Sequence, residues 1–322
     1  MNERKINVPG FRIGTAEDKQ GLTGVTVILA PEGGATAGVD VRGCAPGTRE
    51  TDLLRPEKTV DKIHAVVLSG GSAFGLEASC GVMRYLGEKG VGFSVGPVTV
   101  PIVCGAVLFD LMIGDSGAFP DREMGRQAAE RAGISFPVGC TGAGTGATVG
   151  KLLGAERCMK SGAGYAELHV DRLYVGAYIA VNACGEVYEN DRVLAGILSE
   201  DRKGTVSSCD LMLQGVERDL RGANTTIGCI VTNAKLTKAQ CTAAAGMAHD
   251  GLARSIRPVH TTMDGDTLFV MASGEVPAAV DTVACMAEEA VRRAVLDAVR
   301  SAESMGGAPS WRDLFPEEAG AL

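Results

Sequence analysis

The chain has 322 residues, 45% of them hydrophobic and 22% charged, and carries a net charge of −8. That length suits one large domain or two and allows a substantial buried core. An acidic balance with no basic block argues against nucleic acid as a partner, and no apolar run is long enough to span a bilayer.

The 44 glycines are about twice the usual share, which predicts many tight turns and close backbone approaches. Aromatic residues make up only 4%, so the core is expected to be aliphatic and rich in small side chains. The opening residues Met1-Asn2-Glu3-Arg4-Lys5 are polar and carry no apolar signal core. Ten cysteines are scattered without CxxC spacing. They sit mostly in apolar runs, where reduced Cys packs as a small hydrophobe. A reduced, cytoplasmic protein without disulfides is the expectation.

In chain order, Gly24 to Ala30 reads as a strand ended by Pro31, and Ala35 to Arg42 as its antiparallel partner. Gly47 to Lys58 reads as a polar loop and Ile63 to Ser69 as a fully apolar strand broken by Gly70 and Gly71. A helix is predicted from Ala73 to Lys89, with Gly90 closing it. Val98 to Leu111 is apolar, is interrupted by Pro101 and ends in Phe109-Asp110. Asp121 can cap a short helix that Gly133 stops. Gly139 to Gly154 is glycine-rich and contains Lys151, and Tyr165 to Tyr188 is long and β-like with Asn182 near its end.

A polar stretch without periodicity, Ser199 to Ala223, ends at Asn224, and a β-rich run begins at Thr225. Thr237 and Gln240 form a capping box that opens a helix to Arg254. Asp266 to Ala272 reads as a strand and Ala278 to Ala302 as a helix with a small-residue face. The tail from Gly306 reads as loose apart from Trp311. Buried strands flanked by helices point to a layered α/β (α+β) fold.

Several segments can carry chemistry. A threonine on the first residue of a buried strand, behind a polar segment, is placed as the nucleophile of a self-processing hydrolase: its hydroxyl attacks the preceding carbonyl, and the new amino terminus becomes its base. The same residues also suit an ordinary strand mouth. Gly142-Ala143-Gly144-Thr145-Gly146-Ala147 matches a dinucleotide fingerprint, but Gly150 and Gly154 make a poor helix start, so a turn that positions Lys151 fits better. Ser72 sits in a near match to a nucleophile elbow that has Phe74 where glycine belongs, and helix capping fits it as well. His64, His169, His249 and His260 show no metal-type spacing, and none is assigned to a metal. Asp264-Gly265-Asp266 most simply forms a turn, yet it sets two carboxylates at a strand mouth. Asn182, an amide on an apolar strand, needs partners and suits donation to an oxyanion.

Together these segments resemble the L-aminopeptidase/D-esterase family, which includes β-peptidyl aminopeptidases and the nylon-oligomer (6-aminohexanoate-oligomer) endohydrolase. The matching stretches are Ala35–Arg42 with Gly47–Leu53, Val67–Leu76, Val100–Leu111, Gly142–Lys151, Val181–Gly185, Asn224–Ala234 and Thr261–Gly274, in the family's order. The resemblance implies an αββα sandwich like that of N-terminal-nucleophile hydrolases, in a single domain (1–322) that cuts itself between Asn224 and Thr225 into fragments 1–224 and 225–322. It implies Thr225 as nucleophile, Asp264 and Asp266 as the acids that orient it, and Lys151 and Asn182 as the lysine and the oxyanion-side asparagine. It further implies a peptide or oligoamide substrate, no cofactor or metal, no membrane, and a homo-oligomer such as a tetramer. The family's active-site tyrosine falls where this chain has Phe109, which with Ser72 is expected near the substrate pocket. Two alternatives stand beside this reading: an acyltransferase of the ornithine-acetyltransferase type, and an uncleaved, inactive binding protein.

Overall fold

The computed structural model describes residues 2–217 and 224–319. Two sheets lie face to face. One has five strands in the order Arg12–Asp18, Thr23–Leu29, Ala65–Ser69, Val103–Val107, Gly47–Arg49. The other has six, in the order Ala163–Val170, Leu173–Asn182, Thr225–Ala234, Thr267–Val276, Ala35–Val41, Lys62–Ile63. In each sheet one central pair runs parallel: Ala65–Ser69 with Val103–Val107, and Thr225–Ala234 with Thr267–Val276.

The period of two along a strand sorts the side chains into layers. Val66 and Leu68 face the second sheet, where Ile227, Cys229, Val231, Phe269 and Met271 meet them. Their neighbours Ala65 and Val67 point outward, with Val25, Val27 and Leu29, onto helices Ala78–Glu88 and Arg122–Glu130. On the far side Ile230, Leu268, Val270 and Ala272 pack against helices Lys238–Ala253 and Val280–Arg300. The layers are therefore helix, sheet, sheet, helix, the αββα arrangement expected above. Strands buried on both faces read as continuous apolar runs rather than alternating ones, which is how Ala65–Ser69 and Thr225–Ala234 look in the sequence. Each large aliphatic side chain buried this way contributes roughly 1.5–3 kcal/mol.

Small residues let the helices lie directly on the sheets. A Cβ on Gly38 would stand 2.3 Å from the backbone nitrogen of Thr242, and one on Gly164 would stand 2.1 Å from the carbonyl oxygen of Ala294. A methyl group at either site would push its helix off the sheet. The predicted caps form: Asp121 accepts from the Met124 N–H at 2.8 Å, and Thr237 and Gln240 make the full capping box.

Several expectations are corrected. Ala35–Val41 does not pair with Thr23–Leu29. It lies in the other sheet beside Thr267–Val276, because Gly33 and Gly34, both at positive φ (82° and 79°), carry the chain across the sandwich instead of closing a hairpin. The Gly47–Lys58 loop holds the edge strand Gly47–Arg49 and a 3-10 turn at Asp52–Leu54. The Tyr165–Tyr188 run is three strands, with a turn at Asp171 (φ 51°) between the first two. Arg12–Asp18, not anticipated as a strand, forms the edge of the five-stranded sheet. The described part of the tail is ordered beyond Trp311: short helices run Trp311–Leu314, capped by Ser310, and Pro316–Ala319. In the Ser199–Ala223 stretch, Ser208–Leu213 is a helix capped by Ser207, and residues 218–223 lie outside the described residues.

Candidate active site

Thr225 is the first residue of a central strand of the six-stranded sheet, and Asn182 is the last residue of the neighbouring strand, directly across from it. Thr225 is 3% exposed, and Asn224 and Asn182 are fully buried. Buried polar groups are tolerated only when paired, so the partners of these residues define the site.

The Thr225 hydroxyl donates to the carbonyl oxygen of Asn224, the peptide group just before it. The same oxygen accepts the Gly265 N–H at 3.0 Å. A hydroxyl therefore lies against a carbonyl already polarised by a fixed backbone donor, the arrangement that stabilises a developing oxyanion. The Asn224 side-chain amide is buried, and neither its oxygen nor its nitrogen has a partner among the described residues. Unsatisfied groups of this kind cost about 1–3 kcal/mol each.

Lys151 follows the short strand Thr148–Val149, and the turn at Gly150 (φ 70°) brings it in. Its Nζ donates to the Asn182 carbonyl at 3.0 Å and to Asn182 Oδ1 at 2.8 Å. Burial disfavours its ammonium and pulls its pKa down to about 8. Asn182 Oδ1 also accepts the Thr148 N–H at 3.1 Å, and its Nδ2 donates to the Phe109 carbonyl at 2.8 Å. The amide is thus held on both its oxygen and its nitrogen.

The two acids flank Thr225. Asp266 Oδ1 accepts the Thr226 N–H at 2.7 Å. Its Oδ2 accepts from His260, through the backbone N–H at 3.2 Å and through Nδ1 at 2.8 Å. Asp264 accepts the Cys184 N–H at 3.2 Å on one oxygen, and the N–H and hydroxyl of Thr261 on the other. Burial, then the charge of Asp266, raise the Asp264 pKa to about 6. The Asp264-Gly265-Asp266 turn thus does three things at once: each carboxylate is fixed on one side of Thr225, and the glycine between them supplies the N–H on the Asn224 carbonyl.

Phe109 lines a small pocket of about 50 Å³ with Asp110, Met112, Ile113, Lys151 and Cys158 among its walls. Ser72 is not part of that lining. It opens the 3-10 turn Ser72–Glu77 at φ 53°, and its N–H bonds the Leu108 carbonyl. Gly142–Gly144 forms a single 3-10 turn followed by a two-residue strand, not the helix a dinucleotide fingerprint requires. Among the described residues no group of three His, Cys, Asp or Glu side chains is arranged to hold a metal ion.

The structure brings Thr225, Asn224, Lys151, Asn182, Asp264 and Asp266 into one buried network, with Phe109 at its edge. It adds residues the sequence did not single out. Asp110, 3% exposed, accepts the Gly71 N–H at 2.7 Å and the Thr23 hydroxyl at 2.8 Å, and burial raises its pKa to about 6. Thr148 and His260 are the others, while Thr261 and Gly265, read in the sequence only as parts of the turn, supply bonds of their own. An acid ending an apolar run was the only visible signal for Asp110, and the spacing of His260 to Asp266 carried none.

The layered fold is that of N-terminal-nucleophile hydrolases: it superposes with a TM-score of 0.69 on an L-aminopeptidase D-Ala-esterase/amidase from Ochrobactrum anthropi, described as a variant of that fold, over 94% of this chain and 87% of the other at 20% identity. A Burkholderia sp. β-aminopeptidase superposes equally well, with a TM-score of 0.69 over 97% and 93% of the two chains at 21% identity. The profile of peptidase family S58 matches residues 5–311, and the chain belongs to that family. It is 40% identical to an uncharacterized aminopeptidase of Mycobacterium bovis over 92% of this chain and 91% of the relative. It is 33% identical to the 6-aminohexanoate-oligomer endohydrolase of Agromyces sp. over 84% and 75% of the two. The protein is a hydrolase acting on amide or peptide bonds. Among the described residues no helix is long and apolar enough to cross a membrane.

Proposed function

We propose that the protein is a self-processing amidohydrolase whose nucleophile is Thr225, freed as an amino terminus by cleavage of the Asn224–Thr225 bond. The observation that carries this reading is the Thr225 hydroxyl against the Asn224 carbonyl, with the Gly265 N–H on the carbonyl oxygen.

The hydroxyl oxygen attacks the Asn224 carbonyl carbon, and the Gly265 N–H receives the negative charge that develops on the oxygen. Collapse breaks the C–N bond and leaves an ester between Asn224 and the Thr225 side chain, with the Thr225 nitrogen protonated to a free amine. Water then hydrolyses the ester. The amine has an ordinary pKa near 8, so at neutral pH it can take the proton of its own hydroxyl. The same hydroxyl next attacks a substrate amide carbonyl, the amine leaves, and water releases the acyl group. In this reading Asp264 and Asp266 orient the new amino terminus and the main chain beside it, a role supported by the bond from the Thr226 N–H to Asp266. Lys151 holds Asn182 across from the nucleophile.

The apolar walls around Phe109, Met112 and Ile113 suit the methylene-rich acyl part of a peptide or oligoamide, which is the substrate class proposed. A cytoplasmic homo-oligomer of processed protomers is part of the same reading. The test is hydrolysis of short peptide and oligoamide substrates by Thr225→Ser and Thr225→Ala. Retained turnover in the serine variant and none in the alanine variant is expected. Undiminished turnover in Thr225→Ala would refute the assignment.

A further inference from the structure

His260 stands outside every role given so far, yet its side chain is only 15% exposed and it touches the site at one point. Its Nδ1 lies 2.8 Å from Asp266 Oδ2, and its backbone N–H reaches the same oxygen at 3.2 Å. The other oxygen of that carboxylate takes the Thr226 N–H. A carboxylate partner requires a donor, so Nδ1 carries a hydrogen. Nε2 is buried and has no partner among the described residues. The ring is held by packing instead: His249 meets it edge-on with centroids 4.8 Å apart, and His249 Nε2 is anchored 3.1 Å from the Asp40 carbonyl. Burial pushes the His249 pKa down to about 4, a mark of how dry this corner is.

The backbone supports a purpose for the placement. His260 sits at φ 55°, in the left-handed region. That conformation is unfavourable for most side chains, and His and Asn enter it more readily than most. Bending the chain there turns both the N–H and the imidazole of one residue toward one carboxylate oxygen.

We propose that His260 is a positioning residue of the active site: it fixes Asp266, and through Asp266 it fixes the Thr225–Thr226 main chain. The proposal rests on the reading of Thr225 as nucleophile. Asp266 alone could rotate about its side-chain bonds. With one oxygen clamped twice by His260, the other can only face Thr226, and the strand mouth is held in register with the Gly265 N–H. Misplacing a reacting group by an ångström is enough to lose most of its advantage.

The test compares the wild-type chain with His260→Gly and His260→Asn. Glycine removes the imidazole without backbone strain. Asparagine suits the same φ and offers an amide donor near the place of Nδ1. The backbone bond from residue 260 persists in both. Three quantities are read: hydrogen exchange of the amides around Thr226 by mass spectrometry, the rate at which a fragment beginning at Thr225 appears, and kcat and KM for amide hydrolysis. In His260→Gly, exchange around Thr226 should quicken about tenfold, and cleavage and kcat should fall by about 10- to 100-fold with KM little changed. His260→Asn should recover most of each. Wild-type exchange, cleavage and kcat in His260→Gly would overturn the proposal, as would an asparagine variant as impaired as the glycine one. Should His260→Gly not fold, His260→Asp takes its place. It fits the same backbone but sets a second carboxylate against Asp266, so the same losses are expected, and wild-type behaviour would overturn the proposal. If the wild-type chain yields no fragment beginning at Thr225, the nucleophile reading fails, while the exchange at Thr226 still decides the role of His260.

Discussion

Asn182 stands directly across from Thr225 in the antiparallel register of two central strands, and its side-chain oxygen receives Lys151 Nζ at 2.8 Å. The fold thus holds Lys151 one residue away from Thr225 through an amide bonded on both its oxygen and its nitrogen. Asn182 has four partners: Lys151 and Thr148 on its oxygen, the Phe109 carbonyl on its nitrogen, and the strand pairing itself.

Lys151→Met separates the stability and the activity of that lysine. The thioether keeps the apolar stem packed, and replacing a buried charge with a packed hydrophobe is often neutral or stabilising. Asn182 Oδ1 would keep its bond from the Thr148 N–H. The variant is expected to melt at or above the wild-type temperature while kcat for amide hydrolysis falls about 100-fold. Thermal denaturation and steady-state kinetics on one preparation check both halves.

Gly265→Ala tests the donor on the Asn224 carbonyl. An added Cβ would stand 2.4 Å from the Ala45 carbonyl oxygen and 2.9 Å from Thr225 Oγ1. Both are too close, so the turn must shift away from Thr225. Cleavage at Asn224–Thr225 should slow by about 100-fold or more, with a stability cost of about 1–3 kcal/mol from overpacking. Time-resolved intact mass and urea unfolding are the measurements.

The raised pKa of Asp264 makes activity and stability respond to pH in opposite senses. Its folded value, about 6, lies above its ordinary value of 3.8. Its contribution to stability is therefore fully present below pH 3.8 and lost as pH rises through 6. Activity needs the neutral Thr225 amine as base and an ionised Asp264 to orient it, so below the limb set by the amine kcat/KM should steepen further through about pH 6. Asp264→Asn should remove that added steepness, and its melting temperature should vary less between pH 4 and 6.

Glu186 offers a parallel test away from the chemistry. It is fully buried and accepts the Ser208 N–H at 3.0 Å and the Ser208 hydroxyl. Burial raises its pKa from 4.5 to about 7. Its contribution to stability is present below pH 4.5 and lost as pH rises through 7. Glu186→Gln keeps an acceptor for Ser208 without the charge. Relative to wild type it should gain stability between pH 4.5 and 8, by up to about 3 kcal/mol, read from urea unfolding across that range.

Much of this was legible in the sequence because it is local. The Thr237–Gln240 capping box, the Asp121 cap and the doubly buried runs at Ala65–Ser69 and Thr225–Ala234 are set by residues within a few positions of one another, whereas Ile63, read as part of the first run, belongs to a separate strand of the other sheet. The candidate site residues came from the order of family segments, and the fold places them close together. What escaped depends on contacts distant in sequence. Ala35–Val41 looked like half of a hairpin, since adjacent strands usually pair, and only packing decides that Gly33 and Gly34 lead to the other sheet. Asp110 gains meaning only when Gly71 and Thr23 converge on it. His260 showed nothing beyond a lack of metal-type spacing, because its partner Asp266 is reached through a left-handed bend that spacing does not reveal.

The central claim is that Thr225 becomes an amino terminus. The intact mass of the purified protein, combined with the N-terminal sequence of any small fragment, tests it most directly. The account predicts two chains, the smaller beginning Thr225-Thr226-Ile227, and a Thr225→Ala variant that stays whole. A single uncut chain of 33.2 kDa in freshly prepared and in aged wild-type samples would contradict it.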